Sequence, residues 1–399
     1  MGDVQIKMGA TMEKAKSVAS NNRDLLWIFL FLIVFINGFE AGGYQASLYT
    51  IGQIYDLSIT NMGIFASVEL FATMLAPLIL GGWADRTNKI KCLLILLGIQ
   101  FAFSASIFLT NSEWFFVIGI FFLGLTTSAL QFISIATLAE LYPISGKKKI
   151  GFMTSMYALG ALVSPLFVNF YLNRNISWRT LFIALAIGSV IAIAGTVITK
   201  NDPKEQPEDS GENAISSKQF VVVGVLLLCV VMCIYVGFEN GFAFFVDTLF
   251  TDALKSSNGK FALSVFWAVM IPSRMLVGLF SKHAKKILIT ALVTIPIITV
   301  LIAMASQGNV VMALCVPLGF ASGAIYPSVL TTMLSFSGNR KATATAMITV
   351  STGIGGVVFT ALTGVLCDQF GVGNAVMILG GFFIFSIVSV LCLKFVKTN

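Results

Sequence analysis

Four acidic residues interrupt long apolar stretches of this chain and are the side chains best placed to do chemistry: Glu40, Glu69, Glu239 and Asp247. A charged side chain at the centre of a bilayer costs about 2.5–3.5 kcal/mol on insertion scales, so such acids face a bundle interior or a wet cavity. A carboxyl group in a poorly hydrated cavity can take up and release a proton as its hydration changes. We therefore expect Glu40, Glu239 and Glu69 to couple to protons, and Asp247, near the outer end of its stretch, to be solvated.

Each acid also has a plainer interpretation. A structural carboxyl group, hydrogen-bonded to a neighbouring helix, is the alternative for Glu40 and Glu239. For Glu69, a contact within a gate is as good an interpretation as solute binding. Asn37 and Tyr44 share a helical face with Glu40, and this spacing predicts a polar stripe on an otherwise apolar helix.

Other polar and aromatic side chains extend this set of candidates. Tyr235 shares a face with Glu239, Asn240 adjoins Glu239, and Gln131 belongs to a polar stripe for which hydrogen bonding between helices is the alternative. Arg274 is a base inside an apolar stretch, where a gate pair or a solute contact competes with snorkelling to the interface. Trp267 lies two turns earlier on the same face. We expect the solute-binding residues to include Asn37, Tyr44, Gln131, Tyr235, Asn240 and Trp267.

The elements that must position these residues are membrane-spanning helices. Of 399 residues, 57% are apolar and only 11% are charged, whereas soluble domains carry about 25% charged residues. The mean hydropathy is +0.91. A bilayer core needs about 20 apolar helical residues per crossing, and the apolar stretches predict an all-α protein with twelve spans in two pseudo-symmetric six-helix bundles. Their limits are 25–49, 61–83, 91–110, 114–138, 149–172, 178–199, 219–249, 260–281, 286–305, 309–335, 342–366 and 372–394.

Basic residues alternate between the predicted loops. Of the 25 lysines and arginines, twenty fall on the side of the N-terminus, four on the opposite side, and Arg274 lies inside a span. Because Lys and Arg concentrate on the cytoplasmic side, we expect both termini to be cytoplasmic, in a plasma or inner membrane. The predicted organisation is a cytoplasmic segment (1–24), a first bundle (25–199), a cytoplasmic linker (200–218) and a second bundle (219–396).

Composition argues against several other classes of protein. The net charge of +7 lies in short clusters between apolar stretches, which does not suit nucleic-acid binding. A lone His283 cannot form a metal site, the six cysteines lie in apolar runs, and nucleotide-binding motifs are missing from the sequence. We therefore expect neither an enzyme nor a cofactor, and a monomer whose partners are the lipid bilayer, a small-molecule solute and protons, with sodium as an alternative ion.

The two halves resemble each other at equivalent places. Residues 38–42 (GFEAG) and 237–241 (GFENG) stand 199 positions apart, and residues 82–86 and 278–282 each lead into a basic turn at an offset of 196. Parallel six-span repeats place a central cavity between the halves, near the membrane midplane. The repeat therefore pairs Glu40 with Glu239 around one cavity.

These residues resemble the major facilitator superfamily over essentially the whole chain. The segment 81–89 (GGWADRTNK) is similar to the signature loop between spans two and three, which implies that Asp85 and Arg86 latch a cytoplasmic gate. Residues 235–239 (YVGFE) and the pair Tyr326-Pro327 resemble the fucose- and glucose-permease-like branch, which adds Tyr326 to the solute-binding residues. The carboxylate that this branch carries early in span four is replaced by residues 126–129 (TTSA).

The resemblance implies a secondary transporter without an ATP site. We expect proton-coupled symport of a polar or sugar-like solute by alternating access, with Arg274 in a gate. The alternative is a proton-driven antiporter that exports organic cations or drugs, which an acid-rich, Phe-rich cavity would suit. A membrane-embedded enzyme or a transport-dead receptor lacks supporting residues in the sequence.

Overall fold

The computed structural model describes residues 25–142, 146–200, 220–338 and 341–396. Within them, twelve helical segments are long and apolar enough to cross a membrane. The twelfth is divided at Phe382 into two consecutive helices. The helices are α1 (Leu26–Ile54), α2 (Ile59–Arg86), α3 (Lys89–Leu109), α4 (Glu113–Leu141), α5 (Gly146–Leu172), α6 (Thr180–Thr199), α7 (Val222–Thr248), α8 (Gly259–Leu279), α9 (Ala284–Met304), α10 (Gly308–Met333), α11 (Lys341–Phe370), α12 (Val372–Gly381) and α13 (Phe383–Cys392).

The prediction of twelve spans is confirmed, and the differences concern helix ends. The first span was expected to end at residue 49 and the eleventh at 366, but α1 continues to Ile54 and α11 to Phe370. Hydropathy marks where the apolar core stops, whereas a helix continues as long as its backbone groups bond to each other. One extension is of a different kind: α7 passes directly into a π-helical turn, Leu249–Ala253.

Helix packing repeats itself between the halves. In the first half α1 packs on α5, α2 on α4 and α3 on α6; in the second half α7 packs on α11, α8 on α10 and α9 on α12. The second set of pairs is the first set displaced by six spans. The predicted pair of pseudo-symmetric bundles is therefore confirmed, while the exact domain limits stay a prediction because most of the linker lies outside the described residues.

Glycines allow the closest of these contacts. A Cβ atom on Gly38 of α1 would lie 1.9 Å from the carbonyl oxygen of Tyr157 on α5. A Cβ atom on Gly355 of α11 would lie 1.9 Å from the carbonyl oxygen of Cys233 on α7. Small residues of this kind let membrane helices approach backbone to backbone. This close approach fixes the two central helices, α1 and α7, against their bundles.

The two halves meet through α1 with α7, α2 with α11 and α5 with α8. We call the side on which residues 25, 200, 220 and 396 lie the terminal side, and the opposite side the far side. The hydrogen bonds described between the halves lie from mid-depth to the far side; two of them are Ser67 Oγ to the carbonyl of Val357 (3.0 Å) and Thr60 Oγ1 to Asp368 Oδ2 (2.9 Å). Toward the terminal side, Met275 and Leu279 of α8 are exposed. The two halves are thus joined on the far side, whereas α8 is exposed toward the terminal side.

Candidate functional site

A cavity of about 410 Å³ lies between the two halves at mid-depth. Helices of both halves line it, with α1, α2, α4 and α5 on one wall and α7, α8, α10 and α11 on the other. Its size falls within the range of small-molecule sites. Its polar and aromatic lining residues are Gln45, Glu69, Thr73, Thr127, Ser128, Gln131, Tyr157, Glu239, Asn240, Phe244, Trp267, Arg274, Tyr326 and Thr352.

On the first-half wall, two carboxyl groups meet. Glu69 of α2 lines the cavity, and Glu40 of α1 lies directly behind it with no exposed surface. The two carboxyl groups lie close enough to interact with each other. An ionised carboxylate only accepts hydrogen bonds, so a hydrogen bond between two carboxyl groups requires a proton on one of them. The arrangement can therefore accommodate one proton between α1 and α2, next to the cavity.

The hydroxyl group of Thr127, on α4, fixes the orientation of Glu40. Thr127 Oγ1 donates to Glu40 Oε2 at 3.3 Å, and Asn37 Nδ2 donates to the carbonyl of Thr127 at 3.0 Å. Asn37, like Glu40, is fully buried. Asn37 therefore ties α1 to α4 and positions the threonine beside the carboxyl group.

On the second-half wall, an acid and a base face each other. Arg274 Nη2 of α8 lies 3.7 Å from Glu239 Oε1 of α7, and the buried Tyr235 side chain lies beside both. The Glu239 side chain is 10% exposed and that of Arg274 is 33% exposed. This pair cancels its own charge within the cavity wall, and Tyr235 supports it from behind.

The cavity is closed on the far side by contacts that cross between the halves. Trp267 Nε1 of α8 donates to Gln45 Oε1 of α1 at 3.2 Å. The rings of Tyr44 and Phe244 pack edge to face with centroids 5.4 Å apart. These contacts join α1 to α7 and α8 immediately beyond the acids and separate the cavity from the far side.

Toward the terminal side, the cavity adjoins a second one of about 400 Å³. Arg274 and Tyr326 line both cavities. The walls of the second cavity are otherwise mostly apolar, with Ile271 and Met275 on α8 and Leu330 on α10. Arg274 therefore stands at the boundary between the two cavities.

The sequence places this architecture in a known family. The sequence model of the Major Facilitator Superfamily matches residues 30–358, which is most of the chain. The chain belongs to the Major Facilitator Superfamily. It is thus a multi-pass membrane transporter of small solutes in that superfamily, with twelve membrane-length helices in the part of the chain that the structure describes.

Individual relatives are distant. A TsgA homologue of Buchnera aphidicola subsp. Acyrthosiphon pisum is 23% identical over 328 residues, 78% of this chain and 80% of the relative. The glucose/mannose transporter GlcP of Bacillus subtilis is 21% identical over 319 residues, 75% of this chain and 76% of the relative. A bacterial homologue of the human lysosomal transporter Spinster, solved in an inward-facing and occupied conformation, superimposes with a TM-score of 0.79 at 13% identity, covering 94% of this chain and 97% of that one.

The predicted site residues of this superfamily member divide into two shells. Seven line the central cavity, namely Glu69, Gln131, Glu239, Asn240, Trp267, Arg274 and Tyr326. Four lie behind its wall and are buried: Asn37, Glu40, Tyr44 and Tyr235. The residues behind the wall position those that line it, so any direct contact of Asn37, Tyr44 or Tyr235 with solute would require the wall to rearrange.

The gate residues predicted from the signature loop lie away from the cavity. Arg86 is exposed at the terminal-side end of α2, and the side chain of Asp85 lies outside the described residues. Arg274, the third predicted gate residue, is paired with Glu239 instead of pointing to the interface. The gating roles of these residues stay predictions.

Several cavity residues, Gln45 and Tyr157 among them, and one ion pair are not predicted from the sequence. Gln45 and Tyr157 line the cavity, and a lone amide in an apolar helix was the available sign for Gln45. The prediction that Asp247 is solvated is wrong: its side chain is 2% exposed, and Lys260 Nζ lies 2.5 Å from its Oδ2. Lys260 stands in the loop-proximal turn of the next span, so the pair could be found only from tertiary packing.

Proposed function

We propose that this transporter is a proton-coupled symporter of a neutral, hydroxyl-rich solute such as a sugar. It lies in a plasma or inner membrane, and its terminal side faces the cytoplasm. Solute and proton bind together in the central cavity and are released together to the terminal side. The alternative is a proton-driven antiporter for organic cations.

The contact between Glu40 and Glu69 is the observation that carries the proton role. Two buried carboxyl groups that adjoin each other can share one proton, and the repulsion between two buried carboxylates resists the loss of that proton. Glu69 lines the cavity, so this proton becomes exchangeable when water or solute enters. The pair therefore offers a proton-binding site whose occupancy depends on the state of the cavity.

The lining of the cavity favours a neutral polar solute. The side-chain amides of Gln45, Gln131 and Asn240 can each donate and accept hydrogen bonds, as the hydroxyl groups of a sugar require. Trp267 and Tyr157 supply aromatic faces for the apolar side of such a ring. Because Arg274 neutralises Glu239, the second-half wall presents no free acid to an organic cation. The resemblance to a glucose/mannose transporter points in the same direction.

A proton gradient supplies sufficient free energy for accumulation. A potential of 100 mV contributes about 2.3 kcal/mol per charge, and one pH unit contributes about 1.4 kcal/mol. Together they sustain a solute gradient of roughly a few hundred-fold per proton.

Uptake by proteoliposomes tests the proposal. D-glucose and D-mannose, with a quaternary ammonium dye as the cationic probe, are offered under an inside-alkaline gradient. Symport predicts sugar accumulation that Glu40→Gln, Glu69→Gln and Glu239→Gln each abolish, while the exposed far-side acid in Glu113→Gln leaves it unchanged. Accumulation of the dye driven by an inside-acid gradient would favour the antiporter. Full coupling retained by both Glu40→Gln and Glu69→Gln would refute the proton role. Uptake that depends on a sodium gradient would identify sodium, instead of the proton, as the coupling ion.

A further inference from the structure

Behind the acid pair, a chain of hydrogen bonds crosses the first bundle from α1 to α6. Gln100 Nε2 of α3 donates to Thr127 Oγ1 at 3.5 Å, and Thr127 donates in turn to Glu40. At the other end, Ser189 Oγ of α6 lies 3.1 Å from Gln100 Oε1. Gln100 and Ser189 have no exposed surface, and neither lines the central cavity. The proposed function makes no use of these two residues.

The chain can run in either direction. Ser189 Oγ also lies 2.9 Å from the carbonyl of Leu185, and a hydroxyl group has one proton to donate. When Ser189 donates to Gln100, the amide nitrogen donates to Thr127, and Thr127 donates to Glu40. When Ser189 donates to Leu185 instead, a flipped Gln100 amide donates to Ser189 and accepts from Thr127. The Thr127 oxygen is then free to accept a hydrogen bond from a protonated Glu40.

These two directions match the two protonation states of Glu40. The first supplies a donor to an ionised Glu40 Oε2, and the second supplies an acceptor to a protonated one. In both arrangements the hydroxyl groups of Thr127 and Ser189 and the amide of Gln100 keep a partner, which matters because an unsatisfied buried polar group costs free energy. No proton passes along the chain: each hydroxyl and amide keeps its own, and the proton of Glu40 comes and goes through Glu69 and the cavity.

We propose that Gln100 is a positioning residue which, by turning its amide, lets the buried Glu40 exist in both the protonated and the ionised form. The inference rests on the proposed proton role of Glu40. A residue that only accepts, or only donates, would favour one form and slow the exchange. Glutamine is suited to the task because its amide oxygen and nitrogen exchange places with little change of shape.

The groups that face Glu40 leave this role to the chain. The titratable groups around it are Glu69 on α2, Tyr157 on α5 and Tyr44 one turn along α1, while Glu239 on α7 lies across the cavity. The side chains described toward it from α4, α3 and α6 are uncharged. Reversal of the hydrogen bonds is therefore the response available on that side of Glu40.

Infrared difference spectroscopy of the full-length protein in liposomes, with pH as the only variable, tests the inference without a transported solute. Between about pH 5 and pH 9, the wild type is expected to show a Glu40 carboxyl band, identified by its loss in Glu40→Gln. It should also show an amide band of Gln100, lost in Gln100→Met, with the same half-titration pH. Gln100→Met should in addition move the half-titration pH of Glu40 by about one unit.

Ser104 is a buried polar residue on the same helix that takes no part in this chain of hydrogen bonds. Ser104→Ala is therefore the matched control and should leave both bands in place. If Gln100→Met does not fold, Ser189→Ala decides, and should uncouple the two bands. An amide band that does not change with pH, or a Glu40 titration unaltered in both variants, would overturn the role of Gln100 alone. Absence of the Glu40 band in the wild type would instead overturn the proposed proton role itself.

Discussion

A single hydrogen bond on the far side offers a direct test of how the two halves separate. Tyr49, near the far-side end of α1, donates through its hydroxyl group to Asp252 Oδ1 at 2.6 Å. Asp252 belongs to the π-helical turn that follows α7, and such turns are frequent at functional sites. The bond joins the two halves and must break when the far side opens. We predict that Tyr49→Phe shifts the protein toward the far-side-open state.

The size of the shift follows from the bond. Hydrogen bonds to charged groups contribute about 1.5–3 kcal/mol net. Tyr49 and Asp252 are both partly exposed, so water competes and the lower end of this range applies. A loss of about 1.5 kcal/mol from the closed state alone raises the ratio of open to closed molecules roughly tenfold.

Distances between spin labels on Ile54 and Ala253, both exposed on the far side, would measure that ratio in liposomes. Tyr55→Phe is the matched control, because the Tyr55 side chain interacts with Arg179 of the same half. The long-distance population should grow in Tyr49→Phe and stay constant in Tyr55→Phe. An unchanged distribution in Tyr49→Phe would refute the latch, and an equal change in both variants would indicate general loosening.

Two further predictions concern stability. Gly38→Ala and Gly355→Ala should each lower the free energy of unfolding by about 1–3 kcal/mol, because the added Cβ atoms would lie 1.9 Å from backbone oxygens. A Cβ atom on Gly98 would have no neighbour within 4 Å, so Gly98→Ala should leave the melting curve unchanged. Lys260→Met should cost up to about 3–5 kcal/mol by leaving the Asp247 carboxylate buried without its cation, whereas Lys255→Met, which replaces an exposed lysine, should melt like the wild type.

The sequence alone was sufficient for the fold. Whether a stretch can span the membrane depends on its own length and hydropathy, so twelve apolar stretches predict twelve spans without any knowledge of their neighbours. The repeat at an offset of 199 residues already placed Glu40 and Glu239 at equivalent positions. The cost of an acid in lipid is likewise a property of the residue and its depth, so Glu69 could be singled out too.

Tertiary structure decided which of these residues touch. Glu40 meets Glu69 rather than Glu239, and Arg274 pairs with Glu239 across α7 and α8. Local sequence patterns do not predict these pairings, because they depend on which faces of separate helices pack together. Periodicity gives the face of one helix, but it does not give the partner of that face.

The burial of Asp247 and the hydrogen-bond chain through Gln100 have the same origin. The position of Asp247 near the outer end of its span suggested that its side chain is solvated. The first turn of α8 instead covers Asp247 and supplies Lys260. Gln100 stands in an apolar helix where its amide has no partner within reach along the chain, and only the approach of α4 and α6 provides two. Composition and spacing determined that this protein spans the membrane with acids inside it, while helix packing decided what those acids are bonded to, since hydrogen bonds extend only a few ångströms.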